Sequence, residues 1–162
     1  MIRCGLTLLA VALAACFHRD PSPAAAPQAG PTVTLERTPC FGTCPVYTVS
    51  ISRAGEVMFN GKRHVADTGQ ATAMISPERV DSLLGELEAA GYFGFDDAYV
   101  MDSPACGMYA TDLPTIITSA TRNGETKTIR HDRGCSAAPP ELSQLEQRID
   151  EVAGTGRWVG RR

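Results

Sequence analysis

Apolar and polar residues begin to alternate at Thr32. Val33, Leu35 and Arg37 interleave with Thr32, Thr34 and Glu36, the period of a half-buried strand. Tyr47, Val49 and Ile51 against Thr48, Ser50 and Ser52 predict a second strand, turned by Ala54-Gly55. Val57 and Phe59 carry the pattern to Asn60-Gly61, a dipeptide that tolerates positive φ at both central positions and so predicts a type I′ hairpin turn. Residues 62–66 then return, and Ala71–Ile75 form a further strand.

The period then lengthens to that of a helix. Ser76-Pro77-Glu78 supplies an N-cap, a first-turn proline and an acid at the positive end of the helix dipole. Val80, Leu83, Leu84 and Leu87 share one face, and Gly91 is placed to stop the helix. Tyr92, Phe93 and Phe95 follow as core plugs, and residues 96–111 are irregular. Leu113–Thr121 and Glu125–His131 flank Asn123-Gly124 as a second hairpin. Pro139-Pro140-Glu141 opens a last helix, with Leu142, Leu145, Ile149 and Val152 on one face and Gly154 as its stop. The order predicts one two-layer α+β domain over residues 32–158: an antiparallel sheet of about five to six strands with two helices packed on one face, then a basic tail at 159–162.

The segment before this domain has another texture. Arg3 and the apolar run Leu6–Leu13 make a secretory signal peptide over residues 1–15, too short to span a bilayer. Its end, Leu13-Ala14-Ala15-Cys16, resembles the lipobox of bacterial lipoproteins, which implies that the Cys16 thiol receives diacylglycerol and becomes the mature N-terminus. Several acyl chains make such attachment durable, where one is marginal. By resemblance to Gram-negative lipoproteins, Phe17 after the lipidated cysteine implies transport to the outer membrane, facing the periplasm. Residues 16–31 form a Pro/Ala-rich tether with a reach of roughly 45 Å if semi-extended. His18 and Asp20 fall within it and take no role.

Charge narrows the partners. The net charge of −3 becomes −4 once Arg3 is removed, and no basic run exists beyond Arg157, Arg161 and Arg162, so no nucleic acid is expected. The membrane is held through lipid, with an envelope protein as a further partner.

Four cysteines remain in the body: Cys40, Cys44, Cys106 and Cys135. Export to an oxidising compartment makes two disulfides the default, with three connectivities open. The Asn123-Gly124 hairpin brings the loop around Asp112 beside Cys135, which favours Cys106 with Cys135 and leaves Cys40 with Cys44 as a local clasp.

The combination of Cys-Phe-Gly-Thr-Cys-Pro-Val-Tyr at 40–47, the Asn-Gly hairpin, the Ser-Pro-Glu helix, Thr111-Asp112-Leu113-Pro114-Thr115 and Pro140-Glu141-Leu142 resembles an uncharacterised family of bacterial lipoprotein domains, the domain of unknown function numbered 6438. The resemblance covers about residues 33–158 and implies no activity. Cys40-x-x-x-Cys44-Pro45 is also similar to the copper-delivery motif of thioredoxin-like assembly factors of cytochrome oxidase, which implies Cu(I) or redox work with His64 or His131 as the imidazole. In those proteins the second cysteine enters a helix, whereas here a strand follows.

Other chemistry finds little support. His131 and Cys135 could be half a zinc site, completed by Cys106 with Asp102 or Asp112, but structural zinc sites show two tight ligand pairs and only one is visible. The serines lack a Gly-x-Ser-x-Gly setting, and no His-Glu-x-x-His occurs. Asp96 and Asp97 are adjacent and so point apart, Asp112 fits a turn or cap, and Trp158 either packs on the sheet or meets a partner. The sequence therefore predicts a lipid-anchored, non-catalytic structural or interaction module of the cell envelope, without a cofactor. Its alternative is a periplasmic thiol protein binding copper through Cys40, Cys44, His64 and His131.

Overall fold

The computed structural model describes residues 30–160. The signal peptide at 1–15, Cys16 and its lipidation, all of the tether but its last two residues, and Arg161 and Arg162 lie outside the described residues.

The domain is α+β, as the patterning predicts. Seven strands follow in chain order: β1 Val33–Arg37, β2 Val46–Ile51, β3 Glu56–Arg63, β4 Gly69–Met74, β5 Ala98–Tyr99, β6 Thr115–Arg122 and β7 Glu125–Asp132. Helix α1 spans Pro77–Ala89, α2 spans Pro140–Ala153, and a short α3 spans Gly156–Val159. The strands form one sheet in the order β4-β3-β2-β1-β6-β7-β5, antiparallel except for the β5–β7 pair.

Alternation decides which face is covered. Val33, Leu35, Val49, Ile51, Val57, Phe59, Ile116 and Ile129 point into one core with Val80, Leu83 and Leu87 of α1 and Leu142, Ile149 and Val152 of α2. Both helices carry their apolar stripe at the spacing that buries one face. Gly91 takes φ 83° just after α1, and Gly154 takes φ 69° after α2, the left-handed stops that glycine permits. Ser76 precedes α1 without a side-chain cap bond to its backbone. Tyr92 plugs the core completely, and Phe93 and Phe95 pack against it half-buried.

The structure corrects two expectations. The sheet has one strand more than the upper expectation, because β5 is a two-residue strand inside the segment read as irregular. Asn60-Gly61 is not a turn: both residues lie inside β3, opposite Gln70 and Gly69 of β4, and the chain reverses over residues 64–68. Gly61 is small for a different reason. A Cβ there would stand 2.2 Å from the Asp67 carbonyl oxygen, so the loop crosses the strand where only glycine leaves room. The real hairpin turn is Asn123-Gly124, with φ of 50° and 84°.

The loop over residues 64–68 is held by the chain's C-terminal part. Asp67 N–H donates to the Trp158 carbonyl at 2.9 Å, and Ala66 N–H to that of Val159 at 3.2 Å. Trp158 packs on the sheet: its ring stacks on Phe59 at 4.9 Å, and Phe59 meets Tyr47 at 5.2 Å. No helix of the described residues is long and apolar enough to cross a membrane.

Candidate functional site

The four body cysteines sit at one end of the sheet, where β1 and β7 end and β2 and β6 begin. Cys40 pairs with Cys44, closing the β1–β2 connection with a Cα separation of 5.8 Å. Cys106 pairs with Cys135, Cα separation 4.5 Å, and ties the long connection after β5 to the segment before α2. Main-chain bonds join the two regions. Phe41 N–H donates to the Asp112 carbonyl at 3.1 Å, Arg133 N–H to that of Pro114 at 3.0 Å, and Ala110 N–H to that of Gly134 at 3.0 Å. The side chains of Phe41 and Met108 stand exposed on this braced end.

The residues suggested for copper or zinc have other commitments. All four sulfurs are in disulfides, so none is a thiolate ligand in this state. His131 is 4% exposed, and its Nδ1 lies 2.6 Å from Oε1 of Glu146. His64 is exposed in the loop after β3, with φ 54°. Asp102 is exposed in the connection after β5, and Asp112 takes φ 72° beside the clasp. Among the described residues no group of three or more His, Cys, Asp or Glu side chains is placed to hold a metal ion. Asp96 and Asp97 do not act as a pair: Asp96 N–H donates to the Tyr99 hydroxyl, whereas the Asp97 carboxylate meets Lys127.

Two polar networks beneath the sheet were not read from the sequence. In the first, Glu146 of α2 is 1% exposed and faces His131 on one oxygen and Arg133 Nη1, at 3.4 Å, on the other. Its signal is positional, since it stands four residues after Leu142 and three before Ile149, on the stripe that α2 buries. The nearby Tyr92 hydroxyl meets Thr118 Oγ1 at 2.9 Å, and burial, helped by the Glu146 charge, pushes its pKa up to about 12. This buried His-carboxylate pair ties β7 to α2.

In the second network Asp150 of α2 gathers four donors. Arg37 gives Nε at 2.8 Å and Nη2 at 2.6 Å to Oδ2, while Tyr47 Oη at 2.7 Å and Thr155 Oγ1 at 2.8 Å donate to Oδ1. Burial above all, then the Asp150 charge, raises the Tyr47 pKa. Burial opposes the Arg37 charge, but Asp150 and Tyr47 outweigh it and leave the guanidinium pKa raised. This cluster pins α2 onto β1 and β2.

The other face of the sheet carries no helix among the described residues and is concave, enclosing about 360 Å³. Register lays two rows across it. One runs Gln70, Asn60, Thr48, Glu36 and Ile117, and the next Thr72, Met58, Ser50, Thr34 and Ser119. Thr34 and Ser119 hydroxyls meet at 2.6 Å, and Glu36 has Lys62 at 3.4 Å. Hydroxyls and carboxamides in such rows can donate and accept at once. The rows combine five hydroxyls and two carboxamides with one carboxylate, the Met58 thioether and Ile117, a set suited to recognition by hydrogen bonding and apolar contact.

The model of the family described as a domain of unknown function, DUF6438, matches residues 31–153. Comparison with curated proteins gives no match. The chain belongs to the DUF6438 family.

Proposed function

We propose, from the Leu13-Ala14-Ala15-Cys16 ending of the signal segment and the tether after it, that the chain is a lipid-anchored interaction module of the cell envelope and performs no catalysis. Cys16 carries the lipid, residues 17–31 form the tether, and the domain stands off the membrane, at the periplasmic side of the outer membrane in a Gram-negative host. The observation that carries the interaction reading is the concave face rich in hydroxyl and carboxamide side chains, with Asn60, Thr48 and Gln70 side by side across three strands and Glu36 the one carboxylate of its rows. The pairing of all four body sulfurs leaves no thiolate to hold copper in this state.

Metabolic labelling with palmitate tests the anchor. Label should enter the wild type and be lost in Cys16→Ala, and equal labelling of the two overturns it. A photoreactive amino acid at Asn60 should cross-link an envelope component in cells. Turnover of a generic ester, peptide or disulfide by the purified mature protein would instead make it an enzyme. The copper alternative needs the Cys40–Cys44 bond reduced, so thiol trapping of protein taken from the envelope separates the two. Cysteines blocked until a reductant is added favour the module, and free Cys40 and Cys44 that bind Cu(I) favour the alternative.

A further inference from the structure

The two edges of the sheet are treated differently. The β7 edge is covered along part of its length by β5, by Arg130 N–H donating to the Asp97 carbonyl at 2.9 Å, and by Lys127 reaching Asp97 and the Phe95 carbonyl. The β4 edge ends the sheet with six residues, Gly69-Gln70-Ala71-Thr72-Ala73-Met74. It has no charged side chain, no proline and no break in its register with β3. Those are the devices by which soluble proteins blunt an edge against pairing with another chain.

The direction of its main-chain groups follows from two hydrogen bonds. Ile75 N–H donates to the Gly55 carbonyl at 2.9 Å, so Gly55–Ile75 is a bonded pair of the antiparallel ladder. Bonded pairs recur at every second position, which makes Val57–Ala73, Phe59–Ala71 and Gly61–Gly69 the next ones. Ser52 N–H to the Glu56 carbonyl at 2.8 Å agrees, since it turns the alternate residues of β3 toward β2. The N–H and C=O groups of Gln70, Thr72 and Met74 therefore point out of the sheet, a row of three donors and three acceptors.

We propose that this edge pairs antiparallel with β4 of a second copy about a two-fold axis at Thr72, joining two seven-stranded sheets into one. The register is self-complementary: Thr72 meets Thr72 of the other copy and Gln70 meets Met74, so every outward N–H faces an outward C=O. On the core side Ala71 meets Ala73, and neither is large enough to obstruct the approach. On the open side Gln70 lies across Met74, a side chain otherwise 69% exposed. Charge leaves a second copy unopposed. A two-fold axis sets like against like, which a charged edge would resist, and this edge bears no charge. The concave polar face then runs unbroken across the pair. The inference rests on strand geometry and does not depend on the lipid anchor.

Thr72→Cys in the full-length protein, in the cells that make it, is the test, with diamide as oxidant. Cα atoms of a bonded antiparallel pair stand about 5.5 Å apart, within reach of a disulfide. The expected product has twice the monomer mass and returns to monomer on reduction, while Thr128→Cys on β7 gives none. A Thr72→Cys protein that stays monomeric, or forms an adduct of any other mass, overturns the proposal. Thr72→Pro removes the central outward N–H and no β3–β4 bond. By light scattering on the purified full-length protein it should halve the protein mass per particle relative to the wild type with an unchanged circular dichroism spectrum, and equal masses overturn the proposal as well.

Discussion

The β7 and β4 sides of the sheet solve the same problem by different means. The β7 side is secured covalently: Cys106–Cys135 fastens the connection after β5 to the segment after β7 and holds the short parallel strand in place. The β4 side is secured by packing, with Trp158 stacked on Phe59 and the backbone at 158–159 bonded to the loop that turns β3 into β4. A covalent tie acts mainly by restricting the unfolded chain, whereas a packed ring acts only when the fold is formed. The two sides should therefore fail differently.

The largest effect is expected from the covalent side. Cys106→Ala with Cys135→Ala reopens a loop of sequence separation 29 and should cost about 3–4 kcal/mol. Denaturant unfolding measures the cost, and hydrogen exchange should accelerate more at β5 and the end of β7 than at β4, which feels only the global loss. Equal acceleration at β4 would erase the distinction between the sides. Trp158→Ala is next, at about 3 kcal/mol for a buried aromatic at the rim of the core. Here the amides of Ala66 and Asp67 should lose protection first, because their acceptors are the carbonyls of Val159 and Trp158.

The Asp150 cluster lies between the two sides and should weaken both together. Asp150→Asn leaves Arg37 without its carboxylate partner and should cost about 2 kcal/mol, with exchange rising on β1 and β2. Alkaline pH probes the same cluster. Tyr47 has its pKa raised in the fold, so the stability it contributes is complete below its ordinary value of 10.0 and declines as pH rises above it. Tyr92 acts in the same direction between 10.0 and about 12. Tyr47→Phe should therefore lose stability at neutral pH yet show a shallower decline above pH 10; a decline as steep as the wild type's would remove Tyr47 from the cause.

The same dipeptide shows what a sequence does and does not disclose. Asn123-Gly124 and Asn60-Gly61 have identical local chemistry, yet the first is a hairpin turn and the second lies within a strand. What separates them is the Asp67 carbonyl crossing over Gly61, a contact made by the fold and not by neighbours in sequence. Strands β1 and β2 and helices α1 and α2 were legible because each buries one face at its own period. β5 was not, since two residues have no period, and its parallel pairing comes from the connection that Cys106 ties down. The inward partners were half legible. Arg37 falls in phase with Val33 and Leu35, and Glu146 with Leu142 and Ile149, so the pattern marks them as turned inward without naming what they meet. The open face was hidden for a related reason: Thr48, Asn60 and Gln70 are ordinary outward residues until the register sets them side by side.

The smallest effect belongs to a contact that serves neither side of the sheet. Arg148 of α2 donates Nε to Glu86 Oε2 at 2.6 Å and Nη2 to Oε1 at 3.1 Å, a two-pronged bridge to α1. Arg148's hydrogen bonds hold the Glu86 carboxyl below its ordinary 4.5. A carboxyl depressed in the fold stabilises above its unfolded value and loses that contribution as pH falls through the folded one. Both side chains are well exposed, so solvent screens the pair and Glu86→Gln should cost under about 1 kcal/mol at neutral pH. The gap from wild type should shrink in high salt and close in acid, once both chains carry a neutral group at this position. A gap that persists at pH 3 would mean that the side chain at position 86 acts through packing between α1 and α2 instead of through charge, and hydrogen exchange at both edges should be unchanged in either case.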